Sequence, residues 1–127
     1  MFSRDLYEIV HILGIALTML AFGGIVMHAS EGGTWKGPRS RTMLKVAHHV
    51  GVFLILLGGF GMLARIGIAK GGIATFPGWL WAKIALWVVL AGVVSLPYKQ
   101  PRFALPAFFA VPTLSGLAVY FALYKPF

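Results

Sequence analysis

Four apolar stretches, each about as long as the hydrocarbon core of a bilayer is thick, fill nearly all of this 127-residue chain. Hydrophobic residues make up 59% of it, charged residues 11%, and only three residues are acidic. An ordinary soluble domain has roughly 45–50% apolar and about 25% charged residues. A water-soluble fold is thereby excluded. The expected fold class is all-α, an integral membrane four-helix antiparallel bundle. Residues 1–127 form one domain, with no room for a second domain outside the bilayer.

Turn formers set the limits of the runs. Gly32, Gly33, Gly37 and Pro38 make the first break, Gly71, Gly72, Pro77 and Gly78 the second, and Pro97 and Pro101 the third. Helices are therefore expected at about 6–28, 43–68, 79–96 and 103–124. At ~1.5 Å per residue such runs are roughly 27–39 Å long, enough to cross a ~30 Å core. The first run follows Arg4 and ends near Ala29, and at about 22 residues it exceeds the ~7–15 of a secretory signal core. It is read as a retained helix. Pro106 and Pro112 are expected to bend the fourth.

The formal charge of +8 raises nucleic acid as a partner, but the basic residues lie at loops and helix ends with no aromatic-studded basic face. They read as contacts to membrane lipid and as topology signals. Lys36, Arg39, Arg41 and Lys45 flank the first break, and Lys99 and Arg102 the third. These should face the cytoplasm, which places both termini on the periplasmic side of a bacterial inner membrane as a multi-pass protein. The absence of cysteine excludes disulfides, thiolate-bound metals, iron–sulfur clusters and cysteine nucleophiles.

Small residues repeat at seven-residue spacing: Gly14 and Ala21, Gly51 and Gly58, Ala85 and Gly92. Such pairs share one helix face and allow backbones to approach closely in lipid. On the first helix Tyr7, His11, Gly14, Thr18, Ala21, Ile25 and His28 follow an alternating four-three spacing, which makes them a packing seam. On the second, His48, Gly51, Ile55, Gly58, Met62 and Arg65 share a stripe, and His49 lies about 100° off it. His48 is expected to face inward and His49 a neighbour or lipid.

Two polar clusters follow. His28 with His48 or His49, bordered by Lys36, Arg39, Arg41 and Lys45, offers the imidazoles and propionate-pairing cations that haem b requires. His11 and His28 are roughly 25 Å apart along the axis and serve different sites. The second cluster gathers Glu8, His11, Arg65 and Lys83, either as a structural ion-pair knot or as a proton-handling or quinone-type pocket. There His11 would act as acid, base or ligand and Lys83 as the partner of an anion or carbonyl. Candidate metal ligands are His11, His28 and His48, and Arg65, Arg39, Arg41 and His49 are candidate cofactor contacts. A di-iron reading of Glu8-x-x-His11 fails for want of carboxylates. No phosphate-binding loop, dinucleotide fingerprint or serine nucleophile pattern is present.

His11 and His28 framing the first helix, Trp79-Leu80-Trp81-Ala82-Lys83, Val111-Pro112-Thr113 and the ending Lys125-Pro126-Phe127 resemble the HemJ-type protoporphyrinogen oxidases. That family belongs to a group of small four-helix membrane proteins that also holds the CopD-type and SirB-like proteins. The His48-His49 pair in a glycine-rich second helix is closer in style to the SirB-like members, and Phe109 and Ala110 stand where the HemJ type is polar. The resemblance implies haem b binding and protoporphyrinogen oxidation, with His11 and Lys83 as the catalytic positions. The function expected is thus that of a haem-b or redox-ligand-binding inner-membrane protein that oxidises a porphyrin or quinol. The alternative is a non-catalytic accessory subunit of a larger respiratory or photosynthetic membrane complex, or of a homo-oligomer.

Overall fold

A computed structural model describes residues 2–34 and 39–126, and the side chains of 39–41 and 69 lie outside that description. Helix α1, Arg4–Ser30, starts where the Ser3 hydroxyl accepts the Leu6 amide at 3.2 Å. It stops where Gly32 takes a positive φ of 86° and the Gly33 amide reaches back to the His28 carbonyl at 2.9 Å. That left-handed step is open to glycine without strain. Helix α2, Arg39–Ile66, ends the same way at Gly67, with φ 87°. Two 3₁₀ turns, Ile68–Gly71 and Ile73–Thr75, lead to α3, Gly78–Gly92, and α4 spans Ala104–Tyr124.

The prolines act differently from the expectation drawn from sequence. Pro97 lacks the N–H that Val93 would otherwise bond, so α3 tightens into a 3₁₀ turn, Val93–Ser95, and resumes for one turn, Leu96–Lys99. Pro106 sits in the first turn of α4, where amides have no helical partner anyway, and only Pro112 is interior. Pro112 leaves the Phe108 carbonyl without its helical donor.

Four helices are long and apolar enough to cross a membrane, α3 and α4 being counted with their flanking turns as Gly78–Lys99 and Pro101–Tyr124. Among the described residues there is no strand. Neighbours run antiparallel and close a ring: α1 against α2, α2 against α3, α3 against α4, and α4 back against α1. We call the end holding the termini and the Ile66–Pro77 connection the terminal end, and the opposite one the basic end.

The α1–α2 contact is the closest. A methyl group at Gly14 would lie 2.7 Å from the Gly51 carbonyl oxygen, and one at Gly51 would run into the Thr18 hydroxyl. Gly14, Thr18, Ala21 and Ile25 of α1 and His48, Gly51, Ile55 and Gly58 of α2 are all buried, so both stripes face each other as their spacing requires. The third small-residue pair does not. Ala85 and Gly92 are exposed, with nothing within 4 Å of a side chain at Gly92. On α3 the large residues Trp79 and Leu80 make the contact instead, meeting Leu63 of α2 and Phe121 of α4. At the basic end Phe22 and Val26 of α1 pack on Ala104, Ala107 and Val111 of α4. Helices α3 and α4 are less covered than the first pair, 17% and 11% of their most apolar windows being buried against 33% for each of α1 and α2.

Candidate functional site

The interior of the ring carries its polar side chains in three tiers. Nearest the terminal end is His11, half-buried, with Nδ1 2.7 Å from the Ile55 carbonyl oxygen of α2. A carbonyl only accepts, so Nδ1 carries the proton and donates, and in the neutral ring Nε2 is left as the acceptor. Gly59 lies beside the ring, where a methyl group would sit in ordinary contact with it at 3.5 Å. Lys83 of α3 and Glu8 both lie within electrostatic range of His11. Lys83 is half-buried and shares a helix face with buried Leu80 and with Trp87, whose indole N–H donates to the Val52 carbonyl at 3.0 Å.

The rest of that cluster stands nearer the helix ends. Glu8 and Arg65 are both exposed. They lie near the termini of α1 and α2, where long side chains reach the rim and keep their charge wet. Tyr120 is also exposed and packs on Tyr124, ring centroids 4.9 Å apart.

The middle tier is His48 with Thr18. Both are 0% exposed. The Phe22 ring lies 6.5 Å from that of His48, and the His49 ring 5.8 Å from it. His49 itself is exposed, about 100° round the helix from buried His48.

At the basic end His28 meets Tyr98, whose hydroxyl is 2.8 Å from Nδ1 with the rings in edge contact at 5.6 Å. Tyr98 belongs to the short turn after Pro97. Its role escapes a sequence reading that takes a tyrosine near a helix end as an interfacial anchor; its depth opposite His28 was the available signal. Of the basic residues expected to border this tier, Lys45 is half-buried, and Lys99 and Arg102, which flank the third break, are exposed. Lys36 lies outside the described residues, as do the side chains of Arg39 and Arg41.

Ligation of haem b by His28 and His48 together does not fit this arrangement. His28 is engaged by Tyr98 and His48 is closed in on all sides, so a porphyrin could reach His48 only by displacing Phe22 or α3. Two grooves open on the bundle, ≈ 480 Å³ against Phe22, Phe108 and Pro112 and ≈ 390 Å³ against Tyr7, Phe53 and Phe60, and neither is lined by a histidine. Among the described residues no three His, Cys, Asp or Glu side chains gather as a metal site.

The fold and its tiers define the class: a four-helix antiparallel bundle of membrane-spanning length with histidines on its inner faces. Comparison with protein-family models, with curated proteins and with solved structures finds no match for this chain.

Proposed function

We propose that this chain is a multi-pass protein of a bacterial inner membrane that binds a quinol- or porphyrin-type redox ligand at the His11–Lys83 site and accepts a proton from it. The reading rests above all on the His11–Ile55 hydrogen bond, which fixes the imidazole with Nε2 as acceptor. A quinol hydroxyl or a porphyrinogen N–H is a donor of the matching kind, and the Lys83 ammonium would stabilise the negative charge that develops as the proton leaves. Electrons would pass to a membrane redox protein that accepts them singly. The likeness to the HemJ-type group in the Trp79–Lys83 segment points to the same two residues. The concentration of Lys and Arg at the basic end favours placing that end in the cytoplasm.

The test is purification in mild detergent, followed by redox difference spectra and solvent extraction of the bound fraction. A redox-active quinone or porphyrin should co-purify and be lost in His11→Ala and Lys83→Met. Folded protein without any such ligand would overturn the reading.

A second reading, an accessory subunit of a larger membrane complex, draws on the sparse burial of α3 and α4. Leu105, Phe109, Val119 and Leu123 of α4 all stand exposed. Fixed-stoichiometry co-purification with a larger assembly supports it, and a monodisperse single species counts against it.

A further inference from the structure

Three polar atoms in the middle of the bundle have no hydrogen-bond partner among the described residues: the Thr18 hydroxyl oxygen and both ring nitrogens of His48. They are neighbours. Thr18 packs on Gly51, one turn along α2 from His48, and Phe22, one turn along α1 from Thr18, meets the His48 ring. A neutral imidazole always carries one N–H and one bare nitrogen. Left unmet in a closed interior, such groups destabilise the fold, and a leucine at position 48 would carry no such cost. Buried polar groups in this state call for a bound partner or a chemical role.

The surroundings limit what that partner is. From α1 come Thr18 and Phe22, which carry no charge. On α2 the titratable neighbours are His49 and half-buried Lys45, one turn before His48 on the same side of the helix. The Leu90 carbonyl of α3 approaches the ring without meeting hydrogen-bond geometry. Helix α4 has no ionisable residue before Tyr120. Among the described residues no three His, Cys, Asp or Glu side chains gather to make a metal site, and the space is closed to a large ligand. Water is small enough and bonds donors and acceptors alike.

The node also lies midway between the other two tiers. Thr18 is seven residues beyond His11 on α1, about 10 Å along the axis, and His28 is six residues beyond Phe22, about 9 Å. We propose that His48 and Thr18 form a hydrated proton-relay node at the centre of the bundle, joining the His11–Lys83 site to the His28–Tyr98 pair. A proton delivered by water to the bare nitrogen of His48 gives the imidazolium. Loss of the proton from the other nitrogen to water on the far side returns a neutral ring in its second tautomer, and ring rotation resets it. One proton enters, one leaves, and no electron moves. The Thr18 hydroxyl accepts from one water and donates to another. Glycine at 51 lets the two groups share one space.

The relay does not depend on which ligand His11 takes, so its test can fail while the redox reading stands. The full chain is reconstituted into phosphatidylcholine–phosphatidylglycerol vesicles containing a pH-sensitive dye, and a valinomycin-clamped potassium gradient drives protons inward. Wild-type vesicles should acidify faster than protein-free ones, His48→Gln should return to the protein-free rate, and Thr18→Val should fall between. Gln keeps hydrogen-bonding capacity in place of the imidazole but does not carry a proton. Should His48→Gln lose its circular dichroism, Thr18→Val alone decides, slower flux supporting the relay and wild-type flux overturning it. Wild-type vesicles no faster than empty ones, or folded His48→Gln as fast as wild type, overturn it as well.

Discussion

Replacing Gly58 with alanine should part the two most closely packed helices. A methyl group at that α-carbon would lie 2.5 Å from the His11 amide nitrogen, 2.6 Å from the Tyr7 carbonyl oxygen and 2.7 Å from the His11 α-carbon. All are backbone atoms of α1, so no side-chain rotation relieves the overlap. Favourable contact between such atoms begins at about 3.5 Å, and α1 must therefore retreat by about 1 Å along this stretch. Overpacking of this kind costs about 1–3 kcal/mol. Removing a glycine from a helix interior returns about 0.5–1 kcal/mol. The net expectation is a loss of about 1–2 kcal/mol. Gly92 is the internal control: nothing lies within 4 Å of a side chain there, so Gly92→Ala should stabilise by about 0.5–1 kcal/mol. The assay is stepwise SDS titration of the protein in mixed micelles, followed by far-ultraviolet circular dichroism. Midpoint shifts of opposite sign are expected. Shifts of the same sign and size would refute the argument that the α1–α2 approach, rather than glycine content, sets stability.

Two further substitutions test single interactions by the same titration. Trp87→Phe removes the donor to the Val52 carbonyl while keeping an aromatic ring, and should lower stability by about 0.5–1.5 kcal/mol; an unchanged midpoint would show that this bond does not hold α3 to α2. Pro112→Ala restores an amide donor to the Phe108 carbonyl and should raise stability by up to about 3 kcal/mol, whereas a lower midpoint would mean that α4 needs its bend to pack on α1.

The helices and the α1–α2 seam were legible because lipid-length apolar runs and small residues at helical spacing each have one physical use. Burial of His48 and exposure of His49 followed from a 100° step alone. The face of α3 was not legible. Ala85 and Gly92 repeat as the seam glycines do, yet whether a small pair meets a neighbour depends on where that neighbour sits, and Trp79, Leu80 and Trp87 fix that for α3. The polar tiers were legible in part. Depth put His11 beside Lys83, but similar depth did not join His28 to His48, because Tyr98, carried inward by the turn after Pro97, takes His28. Glu8 and Arg65 were drawn into the interior on charge complementarity, while their places near helix ends let them reach the rim.

The unequal packing of the two helix pairs sets which wall of the lumen can move. Helices α1 and α2 are locked backbone to backbone through glycine and form a fixed wall. Helix α3 rests against that wall through side chains, tied by the Trp87 indole near its middle and by Tyr98 just beyond its end. Opening of the interior would therefore take the form of a swing of α3 with α4, with Trp87 as the latch and the His48 chamber as the space it uncovers.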